Sequence, residues 1–399
     1  MTMAVLPHVA ELGTDRESLD RLSAQSWAVT SDRGLEVLHF EPAVAALEHK
    51  SLAKGVSFQR RLDDLGITDG PARDDWEQML VTTEGAHRRA LRRPFAVLLA
   101  GPQVKRLTAD VRQIIEDVLD EIPDTAHIDV MADIAWKVPS RVYCHLVAAP
   151  LDQAPLVASL SDRTLAPILT SDVTRRQDSI DAFNTTRDFV REHLGRRRRD
   201  GLGEDFASIM VRQQIEGLQT EEELIYEGIA LLQASVDNTV HQLGLVLGVL
   251  LSDPARWQSV VEEPARIPAA IEEAMRLAPR FNTVFRQASE PLELNGQALN
   301  AGEWVFVSTL AANRDPVRFP DPHTFQFDRR MVRALQFGGG PYSCLGQTLA
   351  RVELQETVAA LANRFPRLSM AGVLEHHVTN AVTEVASFPA HNRPSNLIV

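Results

Sequence analysis

Cysteine is nearly absent from this chain of 399 residues: only Cys144 and Cys344 occur, far apart in sequence. Two cysteines exclude a disulfide framework and are too few for an iron–sulfur cluster, and they fit a reducing compartment. An excess of positive charge is also missing. Lys and Arg total 41 against 54 Asp and Glu, a net charge of −13, which argues against nucleic acid as the main partner. Long apolar runs are lacking. The most apolar stretch, Leu243 to Leu251, is too short to cross a bilayer, so no membrane role is expected. The first residues, MTMAVLPHVAELG, lack the basic start and apolar stretch of a secretory signal, so a cytoplasmic, soluble protein is expected. No repeat or low-complexity linker interrupts the chain.

What is present is an ordinary globular balance, 44% hydrophobic and 24% charged. Helical periodicity dominates, over Arg106 to Ile122, Asp178 to Leu194, Thr220 to Leu251, Ala269 to Leu277 and Leu345 to Phe365. The run Arg196 to Arg199 reads as a solvated helix end. Strand-like pieces are short. Trp27 to Thr30 and Leu35 to His39 flank a turn at Ser31 to Gly34; Leu292 to Leu294, Trp304 to Ser308 and the tail Asn396 to Val399 add small sheets. The expected fold class is mainly α with small β-sheets.

One helix stands apart. Thr220 and Glu223 have capping-box spacing, and the pattern runs to Leu251 before Asp253-Pro254. From Ile229 onward it is apolar on nearly every face, which means burial. Its middle nevertheless carries Gln233, Ser235, Asp237, Asn238, Thr239, His241 and Gln242. Buried polar groups need partners, so these residues bond other core groups or line a cavity.

The most informative stretch is Phe337-Gly338-Gly339-Gly340-Pro341-Tyr342-Ser343-Cys344-Leu345-Gly346. Glycines such as Gly338 let a backbone approach a flat ligand. A cysteine entering a helix N-terminus meets unpaired N–H groups and the positive end of the dipole, which favours its thiolate. No CxxC or histidine cluster accompanies it, so a closed zinc site does not fit, and a single axial thiolate to haem iron does. Cys144, within Arg141 to His145, reads instead as an inert core residue.

Phe337, Gly340, Cys344 and Gly346 match the Phe-x-x-Gly-x-x-x-Cys-x-Gly signature, and the chain resembles the cytochrome P450 family over essentially its whole length. The resemblance implies a single catalytic domain over residues 1–399. It also implies a haem b, iron-ligated by Cys344, between the long central helix and the cysteine-bearing loop and helix. Tyr342 stands where many bacterial members place a cationic propionate ligand.

Glu273 and Arg276, three apart on one helix face, resemble the family's Glu-x-x-Arg pair. Its usual third partner falls at Thr324, with His323 as a possible substitute. Arg286 resembles a propionate ligand, as does His87, with Arg92 or Arg93 in place of the arginine usually found at Leu91. The segment Ala312 to Pro316 also follows the family pattern.

Ala234-Ser235-Val236-Asp237-Asn238-Thr239 aligns with the family's Ala-Gly-x-Asp/Glu-Thr-Thr motif, where a small residue opens a groove and the acid and Thr relay protons. Here Ser235 replaces glycine, Asp237 is the acid, and Asn238 occupies the catalytic threonine position, followed by Thr239. Three accounts of Asn238 stand open: it holds a water that passes protons, proton supply comes from substrate or solvent, or it bonds its own helix.

The resemblance implies oxidation of a small, largely apolar molecule by dioxygen in bacterial specialised metabolism. Hydroxylation is one outcome; the departure at Asn238 would suit coupling or desaturation. Electrons would come from a separate ferredoxin with its reductase, or from a flavodoxin, docking near basic residues such as Arg329, Arg330, Arg333 and Arg351 on a monomer. Val284, Ser235 and Phe388 are expected to border the substrate, as are parts of Ala53 to Leu80 and Leu156 to Thr185. The alternatives are a peroxide-using haem enzyme, or a haem or ligand-binding protein without turnover.

Overall fold

A computed structural model describes residues 6–122, 127–330 and 335–392. The expected strand at the tail 396–399 and Arg333 lie outside the described residues. The molecule is predominantly helical with small sheets, as its periodicity predicts. It divides into two compact units, one of residues 1–57, 244–344 and 361–399, the other of residues 58–243 and 345–360.

The first unit is built on a five-stranded sheet. Its order is Ala28–Ser31, Gly34–Val37, Trp304–Ser308, Thr283–Ala288 and Leu52–Ala53. The first two strands form the expected hairpin, with Ser31 opposite Gly34. Gly34 has φ +147°, and a Cβ there would stand 2.4 Å from the Trp304 carbonyl oxygen. Only glycine lets the second strand lie this close to Trp304–Ser308, its parallel neighbour. Leu35, Val37, Val305, Val307, Phe40 and Phe319 make the core beside it. This unit also holds the antiparallel pairs Glu375–Val378 with Thr383–Ser387, Leu368–Met370 with Pro389–Asn392, and Leu292–Leu294 with Gln297–Leu299.

The second unit is a helical layer. Helices Lys137–Val147, Ala154–Thr170, Arg176–Asp200 and Glu221–Ser235 pack on one another. Gly228 permits one close crossing, because a Cβ there would meet Val190 Cγ1 at 2.4 Å. Trp76 is buried between Phe58 and Phe183, ring centroids 5.0 and 4.9 Å away.

The long central helix is capped at Thr220 by a complete capping box with Glu223. It is not continuous, however. It runs over Glu221–Ser235, breaks at Val236 (φ −105°, ψ −73°), and resumes over Asp237–Leu251. The cause is a side chain in the hydrogen-bond ladder: the Asp237 N–H donates to Ser161 Oγ at 3.2 Å. Glu221–Leu251 is long and apolar enough to span a membrane, but 72% of its most apolar window is buried inside the protein, which marks a core helix.

The helix after the cysteine also starts later than its periodicity predicts. It covers Gln347–Arg364, with the Gly346 carbonyl accepting from Ala350 N–H at 2.9 Å. Cys344 therefore lies just outside the first turn rather than within it. On this helix Glu353 is buried, and burial alone pushes its carboxyl up to about 8. The folded chain thus keeps a proton that the unfolded chain loses near the ordinary value of 4.5. Stability should fall as pH rises from about 4.5 to about 8 and then level off. Glu353→Gln is expected to flatten that fall, gaining on the order of a few kcal/mol at about pH 9 and little at about pH 4, measured by denaturant unfolding.

Candidate functional site

The cysteine loop is held by its own backbone. Two short 3₁₀ turns, Leu335–Phe337 and Gly340–Tyr342, bring the chain round so that Cys344 N–H donates to the Phe337 carbonyl at 2.7 Å. The turn needs left-handed residues at Gly338 (φ +66°) and Gly340 (φ +54°). Side chains there would press on the Tyr342 carbonyl oxygen at 3.2 Å and on Glu48 Cα at 3.1 Å. Arg280 N–H donates to Gln336 Oε1 at 2.9 Å, and so fixes the entry to the loop.

The result is an exposed Cys344 thiol on a rigid glycine loop, while Cys144 is buried. Burial pushes the Cys144 thiol up to about 12, with Asp152 adding to the effect. It is the inert core cysteine expected from its context.

Arg286 lies beside the loop. Its guanidinium carbon is 5.1 Å from the Tyr342 ring centroid, and a guanidinium nitrogen would be 3.7 Å from a Cβ on Gly338. The side chain is almost wholly buried, with Nη1 donating to the Phe285 carbonyl at 2.7 Å. Val284 is half-buried on the same strand, and Phe388 is fully buried.

The Glu273–Arg276 pair is a buried fork, with two N–O distances of 2.8 Å. Arg276 Nη1 also donates to the carbonyls of Asn313 (2.8 Å) and Pro322 (2.7 Å), which explains the family-like segment around Asn313. The third partner is not His323, whose Nε2 faces Asp20 at 3.1 Å. It is Arg329, whose Nε donates to Glu273 Oε1 at 2.9 Å. Arg329 also donates to the carbonyls of Pro320, Asp321 and Thr324. With its side chain 8% exposed, Arg329 belongs to this network and not to a docking surface. Arg330 is exposed.

In the second unit, Ala234 is exposed although Ile229 to Gln233 are buried, so the small residue faces an opening beside the break at Val236. Ser235 and Asn238 are half-buried, Asp237 and Thr239 buried. Asn238 Oδ1 and Gln233 Nε2 are buried without a protein hydrogen-bond partner among the described residues. His87 is exposed, with Nδ1 4.0 Å from Glu223 Oε1. The buried arginine of that helix is Arg88, which donates to the Leu80 carbonyl. Arg92 is half-buried and Arg93 exposed. No periodic signal distinguishes Arg88, because Gly85–Leu98 carries four arginines and an internal Pro94.

Residues 152–373 match the model of the cytochrome P450 family. The chain belongs to the cytochrome P450 family. It is 31% identical over 351 residues to luteothin monooxygenase of Streptomyces thioluteus, covering 87% of this chain and 86% of that one. It is 31% identical over 296 residues to nocardicin C N-oxygenase of Nocardia uniformis subsp. tsuyamanensis, covering 73% of each. The crystal structure of CalO2 shares the P450 fold, with a TM-score of 0.88 at 24% identity, over 97% of this chain and 100% of that one.

This P450 is an oxidoreductase of the monooxygenase class, and P450 membership implies haem iron held by a thiolate. The residues present fit that group. An exposed thiol on a backbone too tight for side chains, with a buried forked cation beside it, suits one face of a flat dianionic macrocycle.

The role of Arg329 can be checked directly. Arg329→Ala leaves Glu273 a buried partner short and is expected to cost about 3 kcal/mol in unfolding free energy. His323→Ala, at a partly exposed pair, is expected to cost less than about 1 kcal/mol.

Proposed function

We propose that Cys344 is the axial thiolate of a haem b, and that the protein oxidises a small, largely apolar molecule of bacterial specialised metabolism. The observation that carries this reading is the exposed Cys344 thiol, presented by the glycine loop next to the buried Arg286 and Tyr342. The names of the two relatives, a luteothin monooxygenase and a nocardicin C N-oxygenase, support the substrate class. Residues 1–399 act as one catalytic domain, since neither compact unit is a continuous stretch of chain.

When bound, the haem supplies dioxygen activation, with the thiolate pushing electron density toward the iron. The chain's residues do the rest. Phe337, Gly338, Gly346 and Ala234 border the macrocycle. Arg286, Tyr342 and His87 answer its propionates, Arg286 with a fork matched to a carboxylate. Asp237, Asn238 and Thr239 manage protons on the oxygen side, and Ser235, Val284 and Phe388 border the substrate.

Asn238 offers an amide where a hydroxyl relay is usual, so its proton traffic differs from a threonine's. Hydroxylation fits, and so does coupling or desaturation after a second hydrogen abstraction. Electrons come from a separate ferredoxin with its reductase, or a flavodoxin, and the protein works in the cytoplasm as a monomer.

Reduced protein under carbon monoxide is expected to show the red-shifted Soret band of thiolate ligation, and Cys344→Ala is expected to abolish it. A variant that keeps the band would sink the reading. Asn238→Thr is expected to change the ratio of product formed to reductant consumed. An unchanged ratio and rate would remove this position from proton delivery.

A further inference from the structure

Asp237 and His241 lie one turn apart on the helix Asp237–Leu251, and both are buried. His241 Nε2 stands 3.4 Å from Asp237 Oδ1. Each residue is fixed from a different element. The Asp237 N–H is held by Ser161 Oγ at 3.2 Å. The imidazole meets the Trp136 indole edge-on, centroids 5.6 Å apart at 83°.

A carboxylate taken out of water without a counter-charge is costly, and an imidazolium at this distance makes the pair net neutral. Lys137 and Arg141 reach Glu121, His145 reaches Asp110, Asp162 reaches Arg175, and Arg163 reaches Asp178. The next residue, Asn238, cannot pass a proton as a hydroxyl does.

We propose that His241 and Asp237 form a one-proton dyad in which His241 orients and reloads the carboxylate, standing in for the hydroxyl that Asn238 replaces. This rests on the haem-thiolate reading above. The proton on His241 Nε2 crosses to Asp237 Oδ1, the carboxyl gives that proton up on the oxygen side, and solvent returns one proton to the imidazole. One proton enters, one leaves, and no electron moves. His241 is a positioning residue; Asp237 is the group that faces the chemistry.

Two measurements test the dyad. In protein labelled with ¹⁵N in the histidine rings, the His241 Nε2 resonance should differ clearly between Asp237→Asn and the wild type. An unchanged resonance overturns the pairing. In turnover, His241→Phe keeps a ring against Trp136, and His241→Gln keeps a hydrogen-bonding side chain without a transferable proton. Both should lower product formed per reductant consumed by about tenfold or more and enlarge the solvent isotope effect.

If His241→Gln behaves as the wild type, reloading by His241 is overturned. The carbon monoxide spectrum separates the two levels: the thiolate band should persist in both His241 variants. Its absence from the wild type would overturn the haem-thiolate reading, while the histidine resonance would still judge the pair.

Discussion

A buried carboxylate organises the first unit. Glu273 is almost wholly out of water, and an ionised group there survives only if its charge is answered. Two guanidiniums answer it, Arg276 from its own helix and Arg329 from a distant loop. Their remaining N–H groups then reach the backbone carbonyls of Asn313, Pro320, Asp321, Pro322 and Thr324. One negative charge thus dictates the path of the chain ahead of the cysteine loop. The cysteine loop itself turns on left-handed residues at Gly338 and Gly340.

The second unit has a comparable point of control in Ser161. Its hydroxyl takes the Asp237 N–H that a regular helix would keep for itself. The interruption falls between Ala234, which is open, and Asp237, which is buried. A neutral serine on another helix therefore decides where the acidic side chain stands and which residues share its surroundings.

Much of this was legible in the sequence, for identifiable reasons. The cysteine loop announces itself because its glycines are required by backbone geometry, and geometry leaves a local mark. The capping box at Thr220 is equally local. The break at Val236 is not, since its cause lies on another helix, at Ser161, 76 residues before Asp237. Arg329 was hidden for a related reason. Its position follows from a loop closing around Glu273, so spacing rules point to Thr324 and His323 instead. Arg88 and His241 were both visible as residue types, but only packing separates a buried arginine from its exposed neighbours, or turns a core histidine toward Asp237.

The contrast between the two sulfurs has a practical side. Cys144 is sealed in the interior with its thiol pushed up to about 12, whereas Cys344 lies open. A mild alkylating reagent applied to the folded chain therefore finds a single accessible thiol, the one proposed to ligate iron. If Cys344 holds iron as proposed, counting titratable thiols becomes a gauge of how much of a preparation is loaded.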